Sequence, residues 1–173
     1  MSDRRDAMVE QWANWLGERL TSSNTIARSS VERELRLILD TLIEMVGPYR
    51  REVKPVWFDV CEHYGRMAAA RGLSAGEVVE EMQYLRELLT LNLSPVLAAM
   101  RARAGLAIML RLNRVLDKGI AVAVVGYTDA LVATLFSQNG VPATDTGFEL
   151  GDVERRLDAI ENALTSVTRP AQA

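Results

Sequence analysis

The chain has few of the side chains on which most protein chemistry depends. Its 173 residues include one cysteine, Cys61, and one histidine, His63. A single cysteine excludes a disulfide within the chain and a cysteine-rich zinc site. A single histidine excludes the groups of histidines and carboxylates that hold zinc or di-iron in helical bundles. On a helix the two residues point in different directions, so they form neither a metal pair nor a nucleophile with its base. We therefore predict no enzymatic activity, no bound metal and no cofactor.

An excess of positive charge and a long apolar segment are also absent. The formal net charge is -3 and the pI is about 5.3, whereas a general nucleic-acid binder needs clustered Lys and Arg to neutralise phosphates. The most apolar run, GIAVAVVGY at residues 119–127, has about half the length of a membrane span. The N-terminus carries no apolar segment of signal-peptide length. We expect a cytoplasmic protein that binds neither nucleic acid nor membranes.

What the chain does contain is a helical pattern. Hydrophobic residues make up 49% of it and charged residues 25%, as in an ordinary globular protein. The apolar residues recur at spacings of three and four, the period of amphipathic helices. Ser29 with Glu32 and Ser74 with Glu77 have the spacing of a capping box, and Gly72 is typical of a helix end. The predicted fold class is all-α.

The C-terminal part differs from the rest in composition and in spacing. Residues 140–149 are rich in Gly, Pro, Thr and Asp and are predicted to form a linker. This divides the chain into a helical domain at 1–139, the linker, a heptad helix at 150–167 and a disordered tail at 168–173. The heptad helix carries an a/d seam, typical of a coiled coil, and we predict that this seam pairs two subunits. Its residues are Leu150, Val153, Leu157, Ile160, Leu164 and Val167.

Two ligand sites are open alternatives at this point. His63 could be the proximal ligand of a haem, although the chain has few of the aromatic residues that line a haem pocket. A histidine at the edge of the core, bonded to a carbonyl or to solvent, is the simpler interpretation. Trp12, Trp57 and Tyr64 could line a cavity for a small molecule, but each also falls on an apolar helix face and is expected to anchor the core.

Two sets of charged residues have an equally simple interpretation. Arg111, Arg114 and Lys118 share one face of a long predicted helix, where they could contact an acidic partner or form an exposed flank. Four carboxylates on the heptad helix are expected at the solvated positions of the coiled coil. They are Asp152, Glu154, Asp158 and Glu161.

Several stretches of the chain resemble the N-terminal domain of RsbR/RsbRD-type stressosome proteins. They are YGRM at 64–67, RGLSAGEVV at 71–79, MQYLRELL at 82–89 and NRVLDKGIAVAVVGYTDAL at 113–131. The resemblance spans about residues 7–137. It implies a globin-like, all-helical sensory domain without haem, usually dimeric, joined by a signalling helix to a C-terminal STAS domain. No STAS domain follows residue 150, so we expect either the sensor part of a longer protein or a stand-alone homologue.

These observations lead to one functional expectation and one alternative. We expect a non-enzymatic, dimeric sensory or protein-interaction module in stress signalling. It would pass an input through residues 150–167 to an output domain, or to a stressosome-type or other signalling partner. The alternative is a globin-like sensor or regulator that binds haem or another small molecule.

Overall fold

The computed structural model describes residues 2–19, 27–138 and 150–169. Helices make up 92% of these residues, and no strand occurs among them. This confirms the all-α prediction. The six helices are α1 (Ser2–Arg19), α2 (Arg28–Val46), α3 (Arg50–Ala70), α4 (Ala75–Ala98), α5 (Ala102–Gln138) and α6 (Leu150–Thr168).

The turn between α3 and α4 follows from its sequence. Gly72 has a φ of 79°, in the left-handed region that favours glycine over residues with a side chain. The Ser74 side chain accepts a hydrogen bond from the backbone N–H of Glu77, and the Glu77 carboxylate accepts one from the N–H of Ser74 at 2.7 Å. The capping box predicted at this position is confirmed.

The capping box predicted for α2 is wrong. The helix begins at Arg28, so Ser29 lies inside its first turn, and no side chain caps its N-terminus. Glu32 accepts a hydrogen bond from the Arg28 guanidinium at 2.7 Å instead. The Glu32 carboxylate therefore forms a charge-assisted hydrogen bond with Arg28 and not the reciprocal contact with Ser29. The spacing of Ser29 and Glu32 alone could not show this.

The centre of the fold is a close contact between α3 and α5. A Cβ atom placed on Gly65 would lie 1.8 Å from the carbonyl oxygen of Ala123. A Cβ atom on Gly126 would lie 2.2 Å from the carbonyl oxygen of Glu62. Real Cβ atoms do not approach oxygen so closely, so only glycine allows the two backbones to touch here. Gly119, about one turn before Ala123 on α5, lies against the ring of Trp57.

The other helices pack around this pair. α2 and α6 contact α3, α4 contacts α5, and α1 packs on α2 and α4. The 119–127 run was predicted to lie in the core or at a subunit interface. Ala123 is fully buried in the α3 contact, whereas Val125 is 55% exposed, so only one side of this run faces the core.

α5 is the longest helix, with 37 residues. By length and composition, its segment Ala102–Phe136 would be able to cross a membrane, a test that core helices of soluble proteins also pass. One face of α5 packs in the core through apolar side chains, and its middle carries four charged residues. The packed residues are Leu112, Val115, Leu116 and Ala123, and the charged ones are Arg111, Arg114, Asp117 and Lys118.

The predicted boundaries at the C-terminal end agree in part with the structure. α6 covers all of the predicted heptad helix, 150–167, and continues to Thr168. Thr168 was predicted to belong to the disordered tail, so the helix extends one residue further than expected. The linker at 140–149 and the last tail residues, 170–173, lie outside the described part of the chain.

The contact between α3 and α5 can be tested by adding a single methyl group. Gly126→Ala should lower the free energy of unfolding by about 1–3 kcal/mol, the usual cost of overpacking, because the new Cβ collides with the α3 backbone. Gly17→Ala is the control, since a Cβ on the exposed Gly17 of α1 meets nothing within 4 Å. It should be neutral or stabilising. Urea denaturation followed by circular dichroism measures both, and an equal effect of the two variants would contradict the close approach.

Candidate functional site

His63 lies in the interior and binds a carboxylate. Its side chain is 5% exposed, and its Nδ1 lies 2.7 Å from Oε1 of Glu34 on α2. The predicted partner, a carbonyl or solvent, was therefore wrong, although a hydrogen-bonded structural histidine was the favoured interpretation. In the described ranges, no group of three or more His, Cys, Asp or Glu residues is placed to hold a metal. The haem alternative needs only one histidine, and it stays a prediction.

The three aromatic residues of the predicted small-molecule cavity do not act together. Trp12 and Tyr64 are fully buried and pack against each other, with ring centroids 5.9 Å apart. Their contact fills the space that a ligand would need. Trp57 instead lies near Gly119, at the edge of a separate cleft between α3 and α5.

A buried polar network joins α3, the following turn and α4. The hydroxyl of Tyr64 donates to Oε2 of Glu81 at 2.5 Å, and Arg71 donates to both carboxylate oxygens of Glu81 at 3.3 and 3.0 Å. The side chains of Arg71 and Glu81 are 0% and 6% exposed. Sequence analysis missed this network. The position of Glu81 was a signal, because it lies between Val78 and Met82 on the buried side of α4.

Burial raises the pKa values of three ionisable side chains in this part of the core. It raises the pKa of the Glu81 carboxyl above its ordinary value, even though Arg71 and the Tyr64 hydroxyl favour the ionised form. Burial also raises the pKa of Tyr64. The pKa of the fully buried Cys61 thiol is raised by the same cause, so Cys61 is not a reactive thiolate at neutral pH.

The heptad seam is buried against the chain's own helices. Val153, Leu157 and Ile160 are at most 3% exposed and Leu164 is 9% exposed, because α6 packs on α2 and α3. Val167 is half-buried at the edge of the core, and the side chain of Leu150 lies outside the described part. The pairing of two subunits through this seam stays a prediction. In the described chain the same side chains already have an intramolecular contact.

Arg33 on α2 holds the acidic side of α6. Its guanidinium lies 2.9 Å from Glu154, 2.6 Å from Asp158 and 2.7 Å from Glu161. Ser30 donates a further hydrogen bond to Glu154 at 2.5 Å. The three carboxylates are 48–60% exposed, in agreement with the solvated positions predicted for them, but their ion pairs with Arg33 were not predicted. The pairs are partly exposed, so each contributes little in water, and salt weakens them.

Part of α5 exposes large apolar side chains on the side opposite its buried face. We call the set Val125, Leu131, Val132 and Phe136 the α5 apolar face. These residues are 42–55% exposed. Val125, Val132 and Phe136 recur at spacings of seven and four, so they lie along one side of the helix, and Leu131 flanks them. Exposed apolar side chains grouped in this way are typical of a contact surface.

The cations predicted on one flank of the long helix have a defined setting. Arg111, Arg114 and Lys118 line a cleft of about 700 Å³ between α5, α3 and the end of α2. Arg50 and Lys54 of α3 line the same cleft. Sequence analysis missed these two residues. Their spacing of four placed them on one helix face, but nothing in the sequence indicated that this face meets α5.

No family model, curated protein or solved structure matches the chain. The likeness to RsbR/RsbRD-type domains therefore depends on the quoted stretches alone. The fold itself defines an all-helical protein.

The protonation of Glu81 predicts a dependence of stability on pH. Because folding raises the Glu81 pKa, the folded protein holds this proton more tightly than the unfolded chain, and the resulting stabilisation is complete below about pH 4.3, the ordinary glutamate pKa. It is lost as the pH rises through the folded pKa. The stability of the native protein relative to Glu81→Gln should therefore decrease from pH 4 to pH 8, as measured by urea denaturation.

The matched control for this experiment is Glu87→Gln, the same change at an exposed position of α4. Its stability relative to the native protein should not vary with pH in this way. If the advantage of the native protein over Glu81→Gln grew with pH, the attraction of Arg71 would outweigh burial, and the assignment would be wrong.

Proposed function

We propose that the chain is a non-enzymatic, dimeric sensory or protein-interaction module in stress signalling, and that α6 carries its output. The observation that carries this proposal is the state of the heptad seam. A helix patterned for pairing with another helix is docked on its own domain, with ion pairs along one edge. Such a helix has two alternative partners.

The two partners of α6 compete for the same side chains. Leu157 and Ile160 are fully or almost fully buried in the docked state, so they cannot also pair with a second α6. Release of α6 would expose the seam and make it available to a second subunit or to an output domain. An input that favours one state over the other would shift the population between them, as in other two-state switches.

The α5 apolar face supports a dimer contact that does not need α6. It carries Val, Leu and Phe side chains that are exposed in the described chain. A two-fold contact between copies brings the same patch of each subunit together, so one apolar helix face is sufficient. With this contact in place, two α6 helices would be held near each other and could pair on release.

Two buried groups support a role without catalysis. The Cys61 thiol is fully buried, and burial raises its pKa. His63 is bound to Glu34 in the interior. Neither group is available to a substrate in this arrangement. The resemblance to the sensory domain of RsbR/RsbRD-type proteins agrees with this role and supports a stressosome-type or other signalling partner.

Release of α6 can be measured by hydrogen exchange. Leu157→Ala removes a fully buried side chain from the seam and should weaken docking by about 2–5 kcal/mol. Amide exchange should then accelerate at least about tenfold in α6, while α3 and α5 retain their protection. The control is Asn162→Ala, which changes an exposed residue of α6. If exchange accelerated equally in all three helices, α6 would be an integral part of the core and not a releasable output.

The dimer contact can be tested on the α5 apolar face. Val132→Glu places a charge in the proposed contact and should convert the dimer to a monomer in sedimentation velocity experiments, because the carboxylate would be desolvated. Val96→Glu makes the same change on α4 at a similar exposure, 47% against 42%, and should leave the dimer intact. A native protein that sediments as a monomer at micromolar concentration would contradict the proposed contact.

A further inference from the structure

The cleft between α3 and α5 has a charge opposite to that of the protein as a whole. The chain carries a formal net charge of -3, yet five cations and one carboxylate line this cleft. The carboxylate, Asp117, is paired with Arg86 of α4. None of the five cations forms an ion pair with a described residue. They are Arg50, Lys54, Arg111, Arg114 and Lys118.

The inner surface of the cleft is apolar. Trp57 and Val115 are buried beneath it, and Phe58 and Leu110 add apolar surface at its sides. The indole N–H of Trp57 is buried and has no hydrogen-bond partner among the described residues. Buried polar groups are normally satisfied, so this N–H is an unmade polar contact in a residue that lines the cleft.

Two of the cations are held in place by the cleft itself. The Lys54 ammonium lies 5.5 Å from the centroid of the Phe58 ring, a cation–π distance. The Arg111 guanidinium donates to the carbonyl oxygen of Val46 at the end of α2, at 3.4 Å. These contacts neutralise no charge, so both side chains retain their full attraction for an anion.

We propose that this cleft binds a small organic anion with an apolar body and a carboxylate or phosphate head group. The five cations would bind the head group, and the apolar surface added by Phe58 and Leu110 would hold the apolar part. A volume of about 700 Å³ is within the range of small-molecule sites. The site depends neither on the α5 apolar face nor on the release of α6, so it goes beyond the proposed function and can fail independently of it.

Octyl phosphate is a suitable probe, used below its micelle concentration and measured by isothermal titration calorimetry on the full chain at low ionic strength. It should bind at one site per chain and more tightly than inorganic phosphate or octanol, which carry the head group and the apolar part alone. Octanoate, compared with octyl phosphate, shows which head group is preferred. Binding of octanol as tight as that of octyl phosphate would overturn the proposal, because the cations would then play no part.

Two double variants, each of which removes two positive charges, test whether the cations that line the cleft bind the ligand. Lys54→Gln with Arg114→Gln should raise the Kd for octyl phosphate about tenfold, the effect expected from two lost, partly exposed charge contacts. Arg51→Gln with Arg101→Gln removes two exposed cations that do not line the cleft, and should leave the Kd within about twofold of the native value. Circular dichroism confirms that both variants fold.

Three further results would overturn the proposal. One is the absence of octyl phosphate binding by the folded native chain. Another is an equal loss of affinity in the two double variants, which would indicate a general charge effect. The third is binding to vesicles that contain anionic lipid without binding to soluble octyl phosphate, since this would assign the cations to a membrane surface and not to a small-molecule site.

Discussion

The contact between the backbones of α3 and α5 is the constraint on which the rest of the structure depends. Gly65 and Gly126 lie where a side chain would collide with a carbonyl oxygen, so the observed register of the two helices requires glycine at both positions. That register brings Trp57 onto Gly119 and sets the position of α3 relative to the charged middle of α5. The opposite side of α3 is left for α2 and α6. The cleft and the docking surface of α6 are thus two consequences of one contact.

The charged residues in the interior and those on the surface stabilise different parts of the fold. Inside, Glu81 is bound by Arg71 and Tyr64, and breaking such a pair on one side is costly because a buried group is left alone. On the surface, Arg33 holds α6 by pairs that water and salt weaken. The buried network therefore fixes the turn between α3 and α4. The exposed pairs add to the burial of the apolar side of α6.

Short sequence patterns predicted local structure correctly at the start of α4 and incorrectly at the start of α2. Ser74 caps α4 as its spacing with Glu77 indicates, because both groups lie within one turn. At the start of α2 the same spacing failed, since Arg28 is close enough to take Glu32. The apolar side of α6 is buried, as its spacing indicates, but an a/d pattern does not state which surface will cover it. In the described chain that surface is α2 and α3, and the pattern alone equally allowed a second subunit.

By itself the sequence determined the all-helical character of the described chain and the burial of Trp12, Trp57 and Tyr64. These properties follow from spacing and composition, which act over a few residues. Only the tertiary structure decided that His63 meets Glu34, that Arg33 meets α6, and that five cations from two helices face one apolar cleft. Each of these joins residues from different helices. Their meeting depends on how closely α3 and α5 approach, and helical periodicity does not encode that distance.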